Sequence, residues 1–130
     1  MKSKKKSTDP IYKSRFDAAI TLYRTGRVAQ SVEALKLVAI DYPNSPAVHG
    51  YLGLVLMKVG QPELAARHFE VATHLSPTNE TASLGLFHAL LETGEKKLAI
   101  VELKRFQSVS HSDDYDAIAA DMGIRIPVAA

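Results

Sequence analysis

Apolar and polar residues alternate along this chain with the period of an α-helix. From Val28 to Asp41 the inward-facing positions stand three and four residues apart: Val32, Leu35, Val38 and Ala39. This spacing places these side chains on one face of a helix. The pattern returns twice, at Leu64, Ala65, His68, Phe69 and Ala72, and then at Ala99, Leu103 and Phe106. It predicts an all-α protein whose helices each bury one face.

Local signals at the helix starts and ends arrange these helices in pairs. Asp9-Pro10 and Ser45-Pro46 each place a side-chain cap before a proline at the first helical position, where the missing N–H costs nothing. Gly26, Gly60 and Gly94 end the first helix of each pair, since glycine accepts the left-handed turn that follows a helix. The predicted helices span residues 10 to about 25, 28–41, 46–59, 62–75, 79–93 and 96–109.

The helix pairs repeat at a fixed interval. Gly26, Gly60 and Gly94 are 34 residues apart, and Pro43 and Pro77 keep the same interval. The interval predicts three helix–turn–helix units, at about residues 12–45, 46–79 and 80–111. A single helix pair cannot bury its apolar face alone, so we expect the units to stack into a solenoid with a concave surface.

A shorter helix is predicted after the third unit. His111 stands where the interval would place a third proline, so the repeat decays there. Ser112-Asp113-Asp114 then forms a cap with acidic residues that complement the helix dipole. A stripe at helical spacing follows and ends at a glycine: Tyr115, Ile118, Ala119, Met122 and Gly123. We expect a capping helix at about residues 112–122 that covers the third unit. Residues 124–130 are expected to form an apolar, extended tail.

The second unit resembles the tetratricopeptide-repeat (TPR) family. The matching residues are Leu52-Gly53, Leu56, Gly60, Ala65, Phe69, Ala72 and Pro77. The resemblance spans about residues 12–113 and implies a TPR-type right-handed superhelix of three repeats with a capping helix. The other units diverge more, since Phe87 and Phe106 replace small residues of the family pattern. Arg15, His49 and Ser83 stand where the family has tryptophan.

The small residues of the second unit are expected to serve close packing. Gly53 and Ala65 lie where the two helices cross, and Phe69 is expected to fill the space between units. Gly50 lies in the same predicted helix and is assigned to close packing as well.

The first helix of each unit lines the concave face in the TPR family, so the resemblance implies which side chains face a partner. The interval of 34 aligns three sites, held by Phe16, Gly50 and Leu84, by Ile20, Leu54 and His88, and by Tyr23, Met57 and Leu91. With Tyr51 beside them, these residues predict a mostly apolar peptide-binding groove. The chain is therefore expected to be a protein–protein interaction module, adaptor or chaperone-like. Its mode of binding would be similar to that of the TPR chaperones of bacterial secretion translocators.

The same alignment argues against another use of the TPR fold. TPR co-chaperones hold the acidic C-terminus of heat-shock chaperones with a clamp of lysine, arginine and asparagine. The matching positions here are Phe16, Ile20, Tyr51, Thr81 and Gly85, and none carries a positive charge. We expect no carboxylate clamp.

Positive charge is concentrated at the N-terminus. The chain has 16 basic and 14 acidic residues, but four of the basic residues are Lys2, Lys4, Lys5 and Lys6. Residues 1–8 are expected to form a disordered basic tail, and residues 9–123 a nearly neutral TPR domain, for which nucleic acid is a poor partner. We expect no signal peptide, because Ser-Thr-Asp-Pro follows the lysines where an apolar stretch would be needed. The sequence has no apolar run long enough to span a membrane and no cysteine. We expect a cytoplasmic protein that does not bind membranes.

No motif for catalysis, metal binding or a cofactor occurs in the sequence. There is no GxSxG, P-loop or glycine-rich dinucleotide loop. The five histidines form no HExxH or comparable metal-ligand pattern. We expect no enzyme and no cofactor.

Three other functions remain open at this stage. The groove could be filled by the chain's own tail or by a second copy, which would make the protein a self-assembling homo-oligomer, such as a homodimer. The chain could also be a specific neutraliser, such as the immunity protein of a toxin. Finally, the lysine tail could contact nucleic acid.

Overall fold

The computed structural model describes residues 9–126 and contains seven α-helices within that range. They are α1 (Pro10–Arg24), α2 (Val28–Asp41), α3 (Pro46–Lys58), α4 (Pro62–Leu75), α5 (Glu80–Glu92), α6 (Lys96–Val109) and α7 (Asp113–Met122). All seven predicted helices are confirmed, with ends that agree within a residue or two. The expected basic tail at residues 1–8 lies outside the described residues, and so do residues 127–130 of the expected C-terminal tail. The division into one domain and two tails stays a prediction.

Short-range contacts fix the helix ends. The Asp9 carboxylate accepts a hydrogen bond from the Ile11 amide at 2.9 Å, and the Asn79 side chain accepts one from Ala82 at 3.1 Å. These bonds satisfy amides that have no partner within the helix. Gly26, Gly60 and Gly94 have φ values of 85°, 76° and 80°, a conformation that a Cβ atom disfavours. The predicted role of these glycines in ending helices is confirmed.

The helices stack in chain order as antiparallel neighbours. Each helix from α1 to α5 packs against the next, and α3 also packs against α5. The first helices of neighbouring units thus approach each other, as expected of helices on the inner side of a curved stack. The result is an all-α helical-repeat superhelix.

Phe69 of α4 holds the second and third units together. Its side chain is buried in the central core cluster, which also contains Leu52 of the second unit and Leu86 and Ala89 of the third. The expectation that Phe69 fills the space between units is therefore confirmed. The other members of this cluster are Ala19, Val32, Leu35, Val55, Leu56 and Ala65.

The capping helix α7 closes the far end of the stack. Tyr115 is fully buried between Phe87 of α5 and Phe106 of α6, with ring centroids 5.6 Å away in both cases. Phe87 and Phe106, which depart from the family pattern, therefore form the aromatic seat of the capping helix, that is, the surface against which it packs. Ile124 and Ile126 pack partly buried against this cluster and have no regular secondary structure.

Candidate functional site

Apart from Gly50, which has no side chain, nine residues are predicted to line the groove, and one of these nine belongs to the core. Phe16 is only 8% exposed, because the rings of Tyr12 and Tyr51 pack edge-on against it, each with a centroid separation of 5.5 Å. It shares its cluster with Val38 and Val48 from the next two helices. The prediction that Phe16 faces a partner is wrong, since neighbours from α2 and α3 cover this side chain.

The other eight residues keep part of their surface open. Leu54, His88 and Leu91 are exposed. The remaining five are half-buried: Ile20, Tyr23, Tyr51, Met57 and Leu84. The His88 ring packs edge-on against the ring of Phe87, with centroids 5.4 Å apart. A binding role for these eight residues stays a prediction.

A pocket of about 580 Å³ lies between α3 and α5 on the side formed by the first helices. Its lining residues are Pro46, Ala47, Gly50, Tyr51, Leu54, Phe69, Asn79, Thr81, Ala82 and Gly85. It thus brings together Tyr51 and Leu54 of the predicted groove. No charged residue is among the described residues that line it, and its polar members are Tyr51, Asn79 and Thr81. Such a surface suits an uncharged, mostly apolar ligand.

Two glycines allow Phe69 to form part of this pocket. A Cβ atom at Gly53 would lie 2.9 Å from the Phe69 ring, and one at Gly85 would lie 2.4 Å from it. Both distances are too short for carbon atoms, so α3 and α5 can flank the ring only as glycines at these positions. The packing role predicted for Gly53 is confirmed, whereas the equivalent role of Gly85 was missed.

Gly50 behaves differently from its neighbours. A Cβ atom there would meet nothing within 4 Å, although the residue lies inside α3. The prediction that Gly50 serves close packing is wrong, because Gly50 borders the open α3–α5 pocket and not another helix.

The three positions that lack the family's tryptophan each make a polar bond to another helix. Arg15 pairs with Asp41, and Nδ1 of His49 lies 3.1 Å from Nδ1 of His68. Ser83 donates to the Glu102 carboxylate at 2.6 Å. A sequence signal existed, since His49 and Ser83 are 34 residues apart, as are His68 and Glu102.

The His49–His68 contact fixes the hydrogen positions of both rings. Nε2 of His49 lies 2.8 Å from the Pro43 carbonyl oxygen, which can only accept, so this nitrogen carries the hydrogen. In neutral His49 the other nitrogen, Nδ1, then accepts from Nδ1–H of His68. Burial lowers the pKa of His68, and His49 and Lys36 of α2 lower it further. His68 is therefore neutral in the folded protein near pH 7.

Apolar surface also occurs on the second helices of the units. Leu37 and Ile40 of α2 and Leu98 and Val101 of α6 are 51% to 72% exposed. A further pocket of about 600 Å³ lies between α4 and α6, where its lining mixes apolar with charged side chains: Glu70, Thr73, His74, Pro77, Leu86, Leu90, Leu98, Val101, Glu102 and Arg105. Two of these charged groups, Glu102 and Arg105, are already paired with each other. The α3–α5 pocket is therefore the better candidate for an apolar ligand.

Three potential metal ligands meet at the start of α7. His111, Asp113 and Asp116 place their ligand atoms within 4.8 Å of one another, and all three are exposed. A hydrogen bond to Asp113 and the charge of Asp116 raise the pKa of His111. These contacts are those of a polar helix start, and the predicted absence of a metal site stays a prediction.

Among residues 9–126, no helix has the length and hydropathy needed to cross a membrane.

Many solved structures have the same architecture. No protein-family model matches it, and no curated protein matches it either. The chain is similar to the type III secretion chaperone SycD of Yersinia enterocolitica in complex with a peptide of the translocator YopD. The TM-score is 0.74 at 14% identity, over 88% of each chain.

Two further structures are similar over most of their length. The Sgt2 TPR domain from Aspergillus fumigatus gives a TM-score of 0.72 at 16% identity, over 94% of this chain and 89% of that one. The second TPR of Spaghetti (RPAP3), bound to the HSP90 peptide SRMEEVD, gives 0.69 at 14% identity, over 74% of this chain and 89% of that one. Together with the helix pairs and the glycines at 34-residue intervals, these likenesses show that the chain has the TPR fold.

Proposed function

We propose that this chain is a protein-interaction module, adaptor or chaperone-like, which binds an apolar segment of a partner polypeptide on the face formed by α1, α3 and α5. The observation that carries the proposal is the uncharged pocket between α3 and α5, bordered by Tyr51 and Leu54. Apolar surface kept open on a folded protein is typical of binding sites. Tyrosine and leucine can be buried there by a partner at little cost in side-chain entropy.

Structural neighbours support this mode of binding. SycD was solved with a peptide of the translocator YopD, and the second TPR of Spaghetti (RPAP3) with an HSP90 peptide. Both ligands are peptides, and both proteins share the fold described above. In this chain the five positions that correspond to an acidic-peptide clamp are uncharged, which favours an apolar peptide.

The proposal is tested by selecting ligands from a phage-displayed library of random linear peptides. The selected peptides are then measured against Leu54→Glu, which places a charge beside the pocket. We expect binding to fall by at least about tenfold, because burying an unpaired carboxylate against an apolar ligand is costly. Helical content should stay unchanged, since Leu54 is already 39% exposed.

Leu37→Glu provides the matched control. Leu37 is 59% exposed and lies on α2, away from the pocket, so the same charge change should leave peptide binding intact. If Leu54→Glu retained every selected peptide, or if the wild-type protein selected none, the proposed function would be wrong.

Self-assembly through the same surface is the alternative. In that case Leu54→Glu would lower the molar mass in solution, as measured by sedimentation equilibrium, while Leu37→Glu would not.

A further inference from the structure

Gly50 is a helical glycine without a structural reason in the fold. Its φ is not positive, so its backbone conformation does not require glycine. A Cβ atom would meet nothing within 4 Å, so its packing does not require glycine either. Glycine inside a helix destabilises it relative to alanine. Gly53 and Gly85, by contrast, are both needed to accommodate Phe69.

The space that a side chain at position 50 would occupy belongs to the α3–α5 pocket. The pocket is lined by small residues on both helices, Ala47 and Gly50 from one and Ala82 and Gly85 from the other, and it reaches Phe69 between them. A side chain added at Gly50 would project into open space, and it would also replace a residue that destabilises the helix. None of the other three residues meets both conditions. Its missing side chain therefore keeps the pocket open at the cost of local helix stability.

We propose that Gly50 is a specificity-determining residue, which leaves room for one bulky uncharged side chain of a bound polypeptide, of the leucine, methionine or phenylalanine class, to reach Phe69. This inference rests on the proposed function and adds the identity of the anchor. A charged anchor is disfavoured because no described residue that lines the pocket could pair with it. A small anchor would contact less of the apolar lining, including the Phe69 ring.

The test is a double-mutant cycle between Gly50 and the anchor of a peptide selected by the wild-type protein. Gly50→Leu places a side chain in the part of the pocket beside Gly50, and we expect it to weaken binding by at least about tenfold. Replacing the bulky residue of the peptide by alanine should cost a similar factor with the wild-type protein. With Gly50→Leu that replacement should cost little more, because the two changes remove the same contact.

Two further variants serve as a graded change at position 50 and as a control outside the pocket. Gly50→Ala adds only a methyl group and should weaken binding less than Gly50→Leu, while its thermal midpoint should equal or exceed that of the wild type. It also serves if the leucine variant fails to fold. Ala29→Leu enlarges an exposed residue of α2 by a comparable amount outside the pocket and should not change binding.

The outcomes separate this inference from the proposed function. If Leu54→Glu abolishes binding but Gly50→Leu and Gly50→Ala leave both affinity and peptide preference unchanged, the groove binds peptides without this pocket and the inference is overturned. The same holds if the selected peptides carry charged or small residues at the position that couples to Gly50. If no peptide depends on Leu54, both proposals fail together.

Discussion

Three residues at equivalent positions of the repeat, where the TPR family has tryptophan, form polar bonds between helices. Arg15 pairs with Asp41, His49 with His68, and Ser83 with Glu102. Buried polar groups must be paired to avoid a desolvation cost. Among the described residues, no buried side-chain nitrogen or oxygen lacks a hydrogen-bond partner. Each of the three positions therefore makes a different polar bond to the second helix of its unit.

The His49–His68 bond makes stability depend on pH. Because the pKa of His68 is lowered in the folded protein, its contribution is present above the unfolded pKa of about 6.5 and declines as the pH falls towards the folded value. Between these two pKa values the unfolded chain binds one proton that the folded protein does not bind. This difference lowers the free energy of unfolding by up to about 1.4 kcal/mol per pH unit. We expect the wild type to lose more stability than His68→Gln between about pH 7 and pH 5.5, measured by urea unfolding.

Glutamine at position 68 can still donate to His49 but does not titrate. His111 has a raised pKa, so its contribution runs in the opposite direction, is lost as the pH rises, and is the same in both proteins. His74→Gln, at an exposed histidine, controls for the loss of a histidine as such. Equal pH dependence in the wild type and His68→Gln would contradict the prediction.

At the scale of elements, α7 is held by an aromatic seat and a polar network. Tyr115 is fully buried against Phe87 and Phe106, and its hydroxyl lies 2.8 Å from Ser83 Oγ. Ser83 donates to Glu102, whose carboxylate is held by two nitrogens of Arg105. One side chain thus connects α7 to both helices of the third unit.

Tyr115→Ala is expected to destabilise the protein by about 3 to 5 kcal/mol, the usual cost of removing a large buried aromatic side chain. Tyr115→Phe keeps the ring and removes only the hydroxyl bond, so it should cost about 1 kcal/mol. Chemical denaturation measures both values, and amide exchange should show α7 and α6 losing protection first in the alanine variant. Similar effects of the two substitutions would mean that the ring does not carry the docking of α7.

The elements themselves were predictable because their signals are local. Asp9, Ser45 and Asn79 cap helices from within three residues, and Gly26 ends α1 by its own backbone conformation. Contacts between elements were harder to predict. The role of Phe87 depends on Tyr115, which lies on a different helix, so its departure from the family pattern had no local explanation.

At the scale of the whole molecule, the described lining of the α3–α5 pocket, the proposed binding site, is uncharged. The lysine-rich segment stands apart from this pocket in sequence. The chain shares its fold with a protein bound to the acidic peptide SRMEEVD but lacks basic residues at the positions of a carboxylate clamp. The shared fold therefore does not predict the same ligand chemistry for this chain.

Peptides selected by the wild-type protein should bind with weak salt dependence. We expect the dissociation constant to change by less than about twofold between low and high ionic strength, because salt screens charges and not apolar contacts. The SRMEEVD peptide should show no saturable binding under the same conditions, as followed by isothermal titration calorimetry. Peptide affinity that fell steeply with salt would contradict the prediction, because it would mean that charged contacts and not the apolar pocket hold the peptide.

The helices, their pairing and the repeat could be predicted from local signals, because caps, glycines and the 34-residue interval act over a few residues or one unit. Which side chains of the first helices are open depends on how the units pack together. Phe16, Gly50 and Leu84 are equivalent by the interval, yet one is buried, one opens into a pocket and one is half-buried. The reason is physical: exposure depends on neighbours from other units, such as Tyr51 against Phe16, and equivalent positions in a repeat do not have equivalent neighbours.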